Sequence, residues 1–96
     1  MTDRLTIAFA QLSQKVGDLA GNAAAMLAAR ARVREADLIV FPEMQLIGYP
    51  AEDLIEKPAL AERAKAELAR LAAETADGGA AMLVGTLHRE GNALFN

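Results

Sequence analysis

In this chain a glutamate follows a proline at the end of an apolar run, in Phe41-Pro42-Glu43-Met44, and Gly48-Tyr49-Pro50 comes shortly after. Pro42 fixes its own φ and restricts Phe41 to extended backbone, so the Glu43 carboxylate leaves the chain at a defined angle. The apolar neighbours Phe41, Met44, Leu46 and Ile47 would disfavour its charged form, which suits a general base. The same position also serves as the polar start of a surface loop, and spacing alone leaves both readings open. Gly48-Tyr49-Pro50 fits a tight turn in which glycine takes a positive φ and Tyr49 is kept extended. Such a turn either aims the tyrosine ring into a crevice or lays it over the core. Glu52, Asp53 and Glu56 read as the solvated or capping start of a helix, where acids are favoured. His88 is the only histidine and has no cysteine to share a metal with, so it reads as structural or exposed.

These residues need a frame, and the hydrophobic periods supply one. Leu5 to Leu12 (LTIAFAQL) predicts a strand. Asn22 to Glu35 predicts a helix with Asn22 as N-cap, Met26, Ala29, Val33 and Ala36 inward, and an arginine-bearing outer face. Asp37 to Phe41 (DLIVF) is a near-continuous apolar run, as in a strand covered on both faces, and completes a β-α-β crossover. Pro58 suits a first helical turn, and Leu60, Ala64, Leu68 and Leu71 recur at helical spacing behind it. Gly78-Gly79 ends that helix, Ala80 to His88 predicts a third strand, and Glu90-Gly91-Asn92 turns the chain into a fourth that begins at Ala93. The order is β-α-β-α-β-β in a single α/β layered domain, incomplete at its fourth strand. Glu43 lies just past the carboxyl end of the second strand, where α/β sheets collect functional groups.

Composition narrows the classes. Half the residues are apolar (53%), but alanine dominates them, so the core is thin for a chain of 96 residues. The net charge of −3 and scattered Lys and Arg leave no basic stripe for nucleic acid. No cysteine is present, which excludes disulfides, thiolate metal sites and a cysteine nucleophile within these residues. The amino terminus has neither a spanning apolar segment nor a basic leader, so a cytoplasmic location without a membrane partner is expected.

The stretches LTIAFAQLSQKVGDLAGNAAAML, ADLIVFPEMQLIGYPAEDLIEKP and MLVGTLHREGNALFN together resemble the opening of a carbon-nitrogen hydrolase domain of the nitrilase superfamily. GYPAEDL running into Lys57-Pro58 is most similar to the glutaminase domain of glutamine-dependent NAD synthetases. The resemblance implies a nitrilase-like αββα sandwich, of which this chain carries the β-α-β-α-β-β start. It also implies a Glu, Lys, Cys site that hydrolyses glutamine through a thioester, with Glu43 as general base and Tyr49 beside the substrate entrance. The lysine and cysteine would follow the hairpin that begins at Ala93; Lys15, Lys57 and Lys65 precede it and match neither. The expected partners are therefore glutamine, the rest of the glutaminase domain and a C-terminal NAD synthetase domain, in a homo-oligomer. No cofactor is expected in this segment, and ATP with Mg²⁺ in the synthetase domain would drive amidation of deamido-NAD. Two other readings stay open at this point: a free-standing amidase acting on an ω-amide or carbamoyl substrate, and a noncatalytic α/β binding module.

Overall fold

A computed structural model describes residues 3–96. Strand β1 (Ile7–Phe9) leads through helix α1 (Leu19–Ala31) to β2 (Leu38–Val40). A 3-10 turn at Glu52–Glu56 precedes α2 (Pro58–Glu74), which leads to β3 (Ala81–Leu83) and the strands β4 (His88–Glu90) and β5 (Ala93–Phe95). Strands β1, β2 and β3 form a parallel sheet in that order, with Ile39 opposite Ala8 on one side and Met82 on the other. The predicted α/β alternation is present, with two departures at the strands.

The first strand is shorter than LTIAFAQL implied, because only Ile7–Phe9 have partners in β2. Ala10 N–H still donates to the Val40 carbonyl at 2.9 Å, and the chain then leaves the sheet toward the loop that follows β2. The predicted strand from Ala80 to His88 is split. β3 ends at Leu83, and β4 pairs with β5 as an antiparallel hairpin apart from the sheet, His88 opposite Phe95 and Glu90 opposite Ala93. Gly91, at φ +59, takes up the turn between them.

Helix α1 begins earlier than predicted. Asp18 is the N-cap, accepting a hydrogen bond from Gly21 N–H at 3.1 Å. Asn22 is instead a buried helix residue whose side chain bonds outside the helix. The helix stops at Ala31, so Val33 and Ala36 pack from the turn that follows it. In α2, Pro58 occupies the first turn as predicted, and Leu60, Ala61, Ala64 and Leu71 are buried while Leu68 stays exposed.

Both helices cover one face of the sheet. Met26 of α1 and Leu71 of α2 meet Ile39 of β2, with the partly buried Ala8 and Met82 beside them. Burying each such large side chain contributes about 1.5–3 kcal/mol, and the alanines between them let the helices approach closely. Side chains alternate along a strand, so Ile7, Phe9, Leu38, Val40 and Leu83 fall on the opposite face. There Phe9 is 79% and Leu83 59% exposed. Among the described residues only one face of β2 is covered by helices, because both crossover helices pack on the same side.

The arginine-bearing outer face also needs correction. Arg30 turns inward at the end of α1, its side chain only 12% exposed, and its guanidinium grips both oxygens of Asp77 at 2.9 and 2.5 Å. Its Nε donates to the Ala80 carbonyl at 2.8 Å, tying α1 to the start of β3. The Arg30 guanidinium, with the Gly79 N–H, holds the Asp77 carboxyl well below the usual carboxylate range. No helix among the described residues is long and apolar enough to cross a membrane.

Candidate active site

Residues 41–51 connect β2 to the 3-10 turn and form a compact loop at the carboxyl ends of the parallel strands. Its apolar residues face inward: Phe41, Met44, Leu46 and Ile47 are all buried. Met44 and Ile47 join Leu19, Leu60 and Leu87 in a core cluster separate from the one under the sheet. The loop closes on itself where Ile47 and Gly48 N–H groups both donate to the Met44 carbonyl, at 3.1 and 2.7 Å. Met44 adopts φ 56 to make this turn. Gly48 takes φ +95, as its place in Gly-Tyr-Pro predicted. A Cβ on Gly48 would lie 2.5 Å from the Val16 Cα, so glycine is required there twice over.

Neighbouring segments clamp this loop by its backbone. Gln14 donates from Nε2 to the Glu43 carbonyl at 3.2 Å and accepts the Tyr49 N–H on Oε1 at 2.6 Å. The same amide reaches Gln45 Oε1 at 3.3 Å, and Gln45 is fully buried. Asn22 donates from Nδ2 to the Leu46 carbonyl at 3.0 Å and to the Lys15 carbonyl at 2.8 Å, while its Oδ1 accepts the Lys15 N–H at 3.0 Å. The Leu46 N–H donates to the Gly85 carbonyl at 3.3 Å, which fastens the loop to the segment after β3. The backbone that carries Glu43 is thus held from three sides.

The Glu43 side chain, by contrast, is exposed. The apolar residues that flank it in sequence turn into the core and leave the carboxylate at the mouth of an open cleft of about 420 Å³. The apolar enclosure expected from its neighbours is therefore absent here. Tyr49, Glu52, and Phe95 and Asn96 at the end of the hairpin also line the cleft. Asn96 donates from Nδ2 to Glu43 Oε1 at 2.9 Å. Glu43 and Tyr49, the two residues singled out from the sequence, do come to one cleft. Tyr49 is 62% exposed and does not cap the core, and its peptide bond to Pro50 is cis. Glu52, Asp53 and Glu56 belong to their own 3-10 turn and not to the first turn of α2, which carries no acid. His88 lies exposed on β4. Among the described residues no three His, Cys, Asp or Glu side chains are grouped to hold a metal ion.

A carboxylate on a clamped loop beyond parallel strands, facing a cleft, is a group that can exchange a proton with a molecule bound there. A family description of carbon-nitrogen hydrolases matches residues 6–96. The chain belongs to the carbon-nitrogen hydrolase family. Within that family it is similar to the glutamine-dependent NAD(+) synthetase of Rhodobacter capsulatus, with 49% identity over 80 residues that make up 81% of this chain and 14% of the relative. The corresponding protein of Synechocystis is 43% identical over 85% of this chain and 15% of its own length. Among solved structures, a glutamine-dependent NAD(+) synthetase from Cytophaga hutchinsonii matches 96% of this chain at TM-score 0.86 and 24% identity, which speaks for the fold. A second, from Acinetobacter baumannii in complex with ADP, matches 93% at TM-score 0.81 and 33% identity. These carbon-nitrogen hydrolase matches span only 14% to 17% of the relatives' own lengths.

Two residues of this carbon-nitrogen hydrolase cleft were not assigned a role from the sequence. Gln14 and Asn96 act across 35 and 53 positions of chain, so no local period marks them. Their only sequence signal is that each sits inside a stretch that carries the family resemblance, LTIAFAQLSQ and ALFN.

Proposed function

We propose that this chain supplies the general base of a glutamine-hydrolysing site in a glutamine-dependent NAD synthetase. The observation that carries this reading is the Glu43 carboxylate, presented to an open cleft by a loop clamped through Gln14 and Gly85, in a carbon-nitrogen hydrolase chain 49% identical to such a synthetase. Glu43 takes the proton of a cysteine thiol, and the thiolate attacks the carboxamide carbon of glutamine. The proton returns through Glu43 to the departing nitrogen, which leaves as ammonia, and an acyl thioester remains. Glu43 then accepts a proton from the water that hydrolyses the thioester, and the thiol is restored. A lysine stabilises the oxyanion formed at each attack. This sequence contains no cysteine, so the nucleophile is supplied by residues outside it, and the family resemblance puts the lysine outside it as well. Tyr49, which lines the same cleft, stands beside the substrate entrance in this reading. The ammonia is consumed in a C-terminal synthetase domain, where ATP and Mg²⁺ drive amidation of deamido-NAD, in a cytoplasmic homo-oligomer.

The test offers the full-length protein glutamine, with and without ATP and deamido-NAD, and a panel of ω-amides and carbamoyl amino acids. We expect ammonia release from glutamine, coupled to NAD formation when the synthetase substrates are present. Turnover of an ω-amide or carbamoyl compound in preference to glutamine, with no NAD formed, would contradict the reading and favour a free-standing amidase.

A further inference from the structure

We propose that Asn96 is a positioning residue for Glu43, holding its carboxylate in the orientation needed for proton transfer. The inference rests on the reading of Glu43 as the base and adds to it a residue from another part of the fold. Glu43 sits on the loop after β2, and the Gln14 amide from the neighbouring segment reaches only its backbone carbonyl. Among the described residues, the one hydrogen bond to the carboxylate comes from Asn96 Nδ2, at 2.9 Å to Oε1. An exposed glutamate side chain has three rotatable bonds and spreads over many rotamers, whereas a base must keep a lone pair aimed at its proton. An amide donor held on a separate element selects one rotamer.

The fold gives this donor a fixed origin. Asn96 directly follows β5, whose pairing with β4 sets Phe95 opposite His88. Leu94, on the same strand, packs against the core cluster that also contains Met44 and Ile47 of the Glu43 loop. The hairpin and the loop are therefore seated on one apolar cluster, and Asn96 and Glu43 are the polar groups that meet above it. Donation to Oε1 leaves Oε2 free to take the proton. The amide itself carries no charge and does not compete for that proton, in contrast to the charge that a lysine or arginine would bring. Tyr49 and Glu52 are the other titratable side chains lining this cleft, and neither is hydrogen bonded to Glu43.

The experiment measures glutamine-driven and ammonia-driven NAD formation in full-length Asn96→Ala, Asn96→Asp, Glu43→Gln and the double variant Glu43→Gln/Asn96→Ala. Asp keeps the shape of Asn but removes the donor and brings a like charge beside Glu43, so a positioning role requires the loss in the uncharged Asn96→Ala as well. We expect both Asn96 variants to lose about 10- to 100-fold in kcat with glutamine, with KM within about threefold and the ammonia-driven rate retained. In the Glu43→Gln background the further Asn96→Ala change should cost little, because the group it positions is already gone. Three outcomes would overturn the inference: unchanged kcat in Asn96→Asp, a rise in KM alone, or an equal loss from Asn96→Ala in both backgrounds. The reading of Glu43 as base has its own separate arm, since it falls only if Glu43→Gln leaves glutamine use intact.

Discussion

A Cβ placed on Gly85 would lie 2.5 Å from the backbone nitrogen of Met44, the residue after Glu43. The segment leaving β3 is therefore in backbone contact with the loop that carries the carboxylate, and the contact admits no side chain. Gly85→Ala must displace one of the two. Because a shift of about 1 Å at a reacting group can cost on the order of 10²-fold in rate, we expect roughly 10- to 100-fold slower glutamine hydrolysis in full-length Gly85→Ala. Ammonia-driven NAD formation should persist. Wild-type glutamine turnover in this variant would show that the contact does not set the position of Glu43.

Asn22 offers a stability test of the same loop. It is 3% exposed, and its side chain serves the Lys15 N–H, the Lys15 carbonyl and the Leu46 carbonyl. Asn22→Ala strands buried backbone groups, and we expect a loss of about 2–4 kcal/mol. Asn22→Asp keeps the acceptor but loses both donations, and should fall nearly as far. Urea unfolding followed by a probe placed within residues 3–96 checks this, with a lower midpoint expected at unchanged slope. A change under about 0.5 kcal/mol in both variants would mean that water replaces the amide without cost.

Much of the frame was legible because it follows local periods. Met26, Ile39, Leu60, Ala64 and Leu71 are buried where helical or strand spacing put them, and Glu43 lies past β2 as the apolar run DLIVF implied. What escaped the sequence is non-local. The chemistry of Asn22 suits an N-cap, yet Asp18, four residues earlier, takes the cap and frees the Asn22 amide for Leu46. Arg30 looked like a surface charge until Asp77, 47 residues away, turned it inward. The burial of Phe41, Met44, Leu46 and Ile47 is legible as hydrophobicity, but its consequence is not: they leave Glu43 exposed at the cleft instead of surrounding it.

The Arg30–Asp77 pair makes stability depend on acidity. The folded protein holds the Asp77 carboxyl below its ordinary value of 3.8, mainly through the hydrogen bond from Arg30, so the folded state binds this proton less readily than the unfolded one. The pair's contribution is therefore complete above pH 3.8 and is lost as pH falls below it. Asp77→Asn removes that contribution. The stability gap between wild type and Asp77→Asn should be widest near neutrality and should narrow below pH 3.8, as read from melting midpoints across pH. A gap that widens with acid would reverse the assignment.

The sheet face bearing Phe9, Leu83 and Ile7 is apolar and exposed, at 79%, 59% and 41%. Exposed apolar surface of this kind drives association. The 96-residue polypeptide on its own should self-associate with concentration and bind an apolar dye, and Phe9→Lys with Leu83→Lys should reduce both. A monomeric 96-residue chain with coincident near- and far-UV melting transitions would contradict this.

As the proposed base of the amide-hydrolysing site, Glu43 should have no part in amidation itself. Glu43→Gln preserves size and the acceptor for Asn96 but cannot take up a proton, so thiolate formation should slow by about 10²- to 10⁴-fold. Free ammonia needs no hydrolysis. The decisive measurement is NAD formation by full-length Glu43→Gln on glutamine and on ammonia, alongside a melting curve that matches wild type. Glutamine-driven synthesis should collapse and ammonia-driven synthesis should be retained. Equal loss on both nitrogen sources in a well-folded variant, or unchanged use of glutamine, would contradict it.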